Sequence, residues 1–103
     1  MVNEKFRKAL ENYCKINELS EDEQPLIFDN SSYDNAIIGI TINDELVYDY
    51  DKMVEEFMLE NNCKYEEAQE WVDCNTIRSL NYNSYEHKPI ILYNKELFEK
   101  IYD

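Results

Sequence analysis

Two aspartates one residue apart, Asp49 and Asp51, stand where an apolar run ends and an amphipathic run begins. Paired carboxylates at that spacing hold divalent cations or share a proton in acid–base work. A calcium-binding loop also needs a mid-loop glycine, further oxygen ligands and a terminal glutamate in register, and these are missing here. The sequence therefore favours Asp51 as the cap of the following helix, with Asp49 on the exposed face of a strand. Three cysteines and one histidine are the other residues able to do chemistry: Cys14, Cys63, Cys74 and His87. A zinc site requires four well-spaced ligands, and these four are scattered. A cysteine nucleophile requires an electropositive setting to form thiolate. Cys63 lies between Asn62 and Lys64, and Cys74 follows Asp73 in a strongly acidic chain. No catalytic residue, metal ligand or cofactor site is assigned from these spacings.

Other chemistries are narrowed by composition. Gly39 is the single glycine, so loops that cradle phosphate or a dinucleotide on glycine backbone are excluded. The odd number of cysteines, without a close pair, predicts reduced thiols and a cytosolic setting. The N-terminal segment MVNEKFRKALENY is amphipathic and charged, unlike a signal peptide, and no transmembrane run is present in the sequence. Arg78, one of two arginines, is expected to pair with Asp73 or a helix-end carbonyl. Tyr48, Tyr50, Tyr82, Tyr85 and Tyr93 lie near acids and suit either an aromatic interface or sheet-facing core positions.

Charge is the strongest signal. The chain has 103 residues and a formal net charge of −13, and residues 16–63 alone carry −12. Between Lys15 and Lys52 there are ten acids and no base. Such a field attracts basic partners and repels nucleic acid and anionic membrane. At 44% hydrophobic and 14% aromatic residues, the chain is nonetheless rich enough to fold.

The elements that must position these residues follow from periodicity. Residues 3–17 predict a helix with Phe6, Ala9, Leu10 and Tyr13 on one side. A polar connector follows to Asp34, broken by Pro25. Residues 36–42 and 46–50 predict a hairpin turning at Asn43-Asp44. Residues 51–61 and 64–74 predict two helices, the first ended by Asn61-Asn62 in place of glycine. The second has Glu66, Glu67 and Glu70 outward, with Tyr65, Ala68, Trp71 and Val72 inward, so Trp71 is expected to be buried against the hairpin. A further turn to Leu80, a polar loop to Lys88, a strand over 90–93 and a helix over 95–102 complete the order. The expected fold is a single α+β domain spanning 1–103, with a small three-stranded antiparallel sheet and helices packed on one face.

Several segments together resemble a known family. They are Asp34-Asn35-Ala36-Ile37-Ile38-Gly39, the string YDYDKM over 48–53, Tyr65 to Asp73, the string NTIR over 75–78, and Lys88-Pro89-Ile90-Ile91. Across roughly residues 28–93 the chain is similar to a family of small uncharacterised proteins of phages and prophages of low-GC Gram-positive bacteria. The resemblance implies a phage setting and supplies no catalytic residues. With the charge, it leads to the expectation of a non-enzymatic inhibitor in the host cytoplasm. Its acidic face would mimic phosphate and bind a basic, nucleic-acid-binding defence protein such as a CRISPR or restriction protein. The residues expected to contact that partner are Glu21, Asp22, Glu23, Asp29, Asp34, Asp44, Glu45, Asp49, Asp51, Glu55 and Glu56. No direct nucleic-acid or membrane contact is expected. A small cytosolic adaptor whose acids are merely solvated and a carboxylate-dependent metalloenzyme are the alternatives.

Overall fold

A computed structural model describes residues 4–102 of the chain, and Asn3, at the start of the expected first helix, lies outside them. Helix α1, Glu4–Ile16, forms where the 3–4 spacing of Phe6, Leu10 and Tyr13 gives an apolar stripe. Phe6 and Leu10 pack on the core and Cys14 is buried. The helix ends where Glu18 takes a left-handed φ of 53° and Leu19 N–H closes onto the Cys14 carbonyl at 3.0 Å.

The connector that follows is packed down. Its Leu26 N–H donates to the His87 carbonyl at 2.9 Å, Pro25 is buried, and the Tyr85 hydroxyl donates to the Glu21 carbonyl at 2.7 Å. It ends in a 3₁₀ turn, Ser31–Ala36, capped by the Asn30 side chain, which accepts from Ser32 N–H at 3.0 Å. That turn was not legible in the polar sequence, yet it places Tyr33, Asp34 and Ala36 in the interior.

Strands β1, Ile37–Ile40, and β2, Leu46–Asp49, form the expected antiparallel hairpin, with a bulge between Ile37 and Gly39. The turn holds because Asp44 adopts φ 61°, and because the Thr41 hydroxyl accepts from the N–H groups of Asn43 and Glu45, each at 3.2 Å. Strand β2 is central. Its other neighbour is β3, Ile90–Leu92, so the order is β1-β2-β3.

Strand β3 runs parallel to β2, pairing Val47 with Ile90 and Asp49 with Leu92. The sheet is therefore mixed, and the all-antiparallel expectation is corrected. The reason is the route between them: two helices and further turns intervene, and a long crossover of that kind can return the chain in the same direction. The α+β class stands.

Helix α2, Tyr50–Asn61, starts directly at the end of β2 and is capped by Asp49. It ends at Asn62, where φ 49° and ψ 51° give the left-handed cap that asparagine tolerates. Helix α3, Tyr65–Trp71, widens into a π-helical stretch, Val72–Ile77, and tightens into a 3₁₀ turn, Arg78–Tyr82. Helix α4, Lys95–Tyr102, closes the described chain. The core is built from Leu46 and Tyr48 of β2, Tyr50, Met53 and Val54 of α2, and Ala68 and Val72 around α3, with Tyr33 and Ala36 below. Among the described residues, no helix is long and apolar enough to cross a membrane.

Candidate functional site

The acids of the central run have different fates, set by the element each falls in. Asp34, in the 3₁₀ turn, is 3% exposed. It is gripped by Arg7 of α1 through two bonds, Nε to Oδ2 at 2.6 Å and Nη2 to Oδ1 at 3.0 Å. That fork is the strong geometry for a guanidinium and a carboxylate, and the carboxylate pushes the Arg7 pKa up. Asp49 is 8% exposed and accepts from Lys52 N–H at 3.3 Å as the cap of α2, with the Asn94 amide on its other oxygen at 3.4 Å. Both were expected at a partner surface, and burial corrects that for each. Asp49 rather than Asp51 is the cap, because α2 begins at Tyr50, one residue before the sequence suggested.

Asp44 and Glu45 are half-buried in the hairpin turn. Asp44 accepts from the Tyr13 hydroxyl at 2.6 Å, and Glu45 accepts from the Thr41 hydroxyl at 3.0 Å. Glu21, Asp22, Glu23 and Asp29 are exposed along the connector. Glu23 turns back to accept from Ser20 N–H at 2.9 Å, and the Ser20 hydrogen bonds hold its carboxyl below the usual range. Asp22 shares an open depression of 450 Å³ with Asn83, Ser84, Tyr85 and Glu86.

The fold brings together a different group. Asp51 at the start of α2 accepts from the Tyr65 hydroxyl at 2.9 Å, and Asp73 in the π-helical stretch accepts from the Tyr50 hydroxyl at 2.7 Å. Asp51, Glu55 and Asp73 all act on the Tyr65 phenol. Tyr93 stands edge-on to Tyr50, with ring centroids 4.8 Å apart. Burial, reinforced by the bond to Asp51, pushes the Tyr65 phenol up to about 12. Burial and then Asp73 push Tyr50 up as well. Both phenols are consequently neutral donors at ordinary pH. They hold two carboxylates in place. Glu55 and Asp73 are exposed, and Glu56 is half-buried.

Arg78 is expected from sequence to pair with Asp73 or a helix-end carbonyl, but the described residues contain no ion pair between Arg78 and Asp73, and Asp73 takes the Tyr50 hydroxyl. A signal for its membership existed in principle, since Tyr50 and Asp73 each sit beside a core position. Nothing in the sequence pairs them across 23 residues. Of the tyrosines read as interface or core, Tyr48 and Tyr50 are core, Tyr82 is exposed and Tyr93 is 46% exposed at the edge of this site.

Trp71 also differs from expectation. It is 52% exposed and stacks on Phe57 of α2, with centroids 5.6 Å apart and an interplanar angle of 26°. The inward line here is Ala68 of α3 and Val72 just after it, both 0% exposed, and they share the core cluster with Tyr48, Tyr50 and Met53. Trp71, about 100° round the helix from Val72, falls on the margin.

Cys14 is buried and its thiol is pushed up by that burial and by Asp44, while Cys74 is exposed and Cys63 half-buried. The His87 ring Nδ1 lies 2.7 Å from the Asn43 carbonyl. Among the described residues, no three His, Cys, Asp or Glu side chains gather as a metal site. No family model, curated protein or solved structure matches the chain.

Proposed function

We propose that this chain is a non-enzymatic, phage-type inhibitor acting in the host cytoplasm. Its target is a basic, nucleic-acid-binding host protein of the defence kind, CRISPR or restriction, whose phosphate-binding surface it occupies. The observation that carries this reading is the pair of carboxylates, Asp51 and Asp73, held by the hydroxyls of Tyr65 and Tyr50 beside exposed Glu55. Acceptors fixed in advance lose little freedom when they meet a cation, as phosphate oxygens on a nucleic-acid backbone do. The net charge of −13 adds long-range steering toward a basic surface.

Binding of this kind weakens steeply as salt rises past about 0.15 M, where the screening length is roughly 8 Å. The test is competition. The immobilised protein should retain candidate host nucleases at low salt, and duplex DNA should displace them. Reversing the exposed acids Glu55, Glu70 and Asp22 to Lys should abolish retention while leaving the circular dichroism spectrum unchanged, since among the described residues none of the three side chains has a hydrogen-bond or ion-pair partner.

A second reading is a cytosolic adaptor whose interface lies elsewhere than on the acidic run, and one specific observation favours it. Asp34, Asp44, Glu45 and Asp49 have internal structural partners instead of facing outward together. Retention of a host protein that ignores both DNA and the charge reversals would support the adaptor.

A further inference from the structure

Trp71 is the single tryptophan, and half of it lies in solvent on an element that is otherwise acidic. From Tyr65 to Ile77 the chain has four acids, Glu66, Glu67, Glu70 and Asp73, and no base. All four are exposed. Phe57 supports the indole from one side, stacked at 26°, so the ring is held flat and its exposed surface is presented outward. An aromatic ring fixed in this way keeps little rotational freedom to lose on binding. Tryptophan is also among the residue types enriched at the anchors of protein interfaces.

We infer that Trp71 is the anchor of the partner surface, and that its exposed face receives an arginine guanidinium of a basic protein. The inference rests on the basic-partner reading above and names the contact. Charge complementarity selects the occupant. A second copy would bring another −13 against the first, and an anionic membrane would be repelled in the same way. A purely apolar partner would leave Glu67, one helical turn before Trp71, and Glu70 beside it desolvated without partners. Arginine satisfies both halves of the patch. Its planar cation stacks on the indole while its remaining N–H groups reach carboxylates, and lysine, a compact strongly hydrated charge, does this less well.

The probes are a short arginine–serine peptide and its lysine–serine twin of equal charge, titrated into the full chain at low salt. Because Trp71 is the single tryptophan, indole emission reports on this position alone. The arginine peptide should change Trp71 emission and bind more tightly than its twin. Trp71→Ala, followed by calorimetry, should weaken the arginine peptide about threefold to thirtyfold. The lysine peptide should lose less, and Trp71→Phe should recover part of the arginine preference. Equal binding of the two peptides, or unchanged arginine affinity in a folded Trp71→Ala protein, overturns the anchor and leaves the basic-partner reading standing. Failure of both peptides to bind overturns the two together.

Discussion

Replacing Arg7 with alanine should leave Asp34 buried with no cation. Asp34 has 0% side-chain exposure and Arg7 34%. Breaking a fully buried pair from one side costs about 3–5 kcal/mol, and an exposed pair is worth about 0–1 kcal/mol. With one end buried and the other a third open to water, the expected cost is about 2–3 kcal/mol. The Arg7 Nη2 contact to the Phe28 carbonyl, 3.4 Å long, adds little. For a domain of this size the loss corresponds to a fall in Tm of about 10–20 °C. In urea the midpoint should drop with the slope unchanged, as for a mutation acting on stability alone. Asp34→Asn keeps the shape and one acceptor, and should cost about 1 kcal/mol. The double variant should then be less destabilised than the two single costs added together. Additivity within about 0.5 kcal/mol, or an Arg7→Ala cost below about 0.5 kcal/mol, would refute the pairing argument. The same reasoning separates fold from binding: Asp34→Lys should unfold the protein, not yield a folded non-binder.

Absorbance titration should show Tyr48 and Tyr65 ionising near pH 12, both pushed up chiefly by burial. Their folded pKa values lie above the unfolded value of about 10, so the stability they contribute is full below pH ~10 and is lost as pH rises toward ~12; a single wave of all tyrosines near pH 10 would contradict this. Asp49→Ala removes the cap of α2 and should cost about 1 kcal/mol by chemical denaturation, whereas an unchanged midpoint would mean that the bond to Lys52 N–H contributes nothing. Asn62→Gly, at the left-handed end of α2, should raise the unfolding free energy by about 0.5 kcal/mol in chemical denaturation, and a loss there would point to a packing role for the asparagine side chain.

What was legible in the sequence was local, and the failures have a common cause. Asp44 and Asn62 take the positive φ that their types favour, so the hairpin turn and the end of α2 could be read from a few residues. Ile90–Leu92 is a strand as its pattern suggests, but its direction depends on the path of the whole stretch from Tyr65 to Pro89, which no local signal encodes. Trp71 shares the 3–4 spacing of the inward residues, yet the buried line is narrow enough to need only Ala68 and Val72. Charge failed differently. A run of acids is continuous along the chain, but consecutive elements send its members to different jobs: Asp49 turns into a helix cap while Asp51, two residues on, meets Tyr65.

The two buried acids, Asp34 and Asp49, are thereby removed from the field a partner can touch. The partner of Asp34 comes from the basic N-terminal segment, the one part of the chain whose charge ran against the rest. At the start of α2 and in the π-helical stretch, Asp51 and Asp73 are held by neutral phenols, with exposed Glu55 nearby. A phosphate mimic needs carboxylates that keep their charge and their place. The hydroxyls of Tyr50 and Tyr65 supply the second condition without neutralising the first, which a lysine or arginine in their position would do. The proposed partner surface is therefore smaller than the acidic run, and two of its acids are held by Tyr50 and Tyr65.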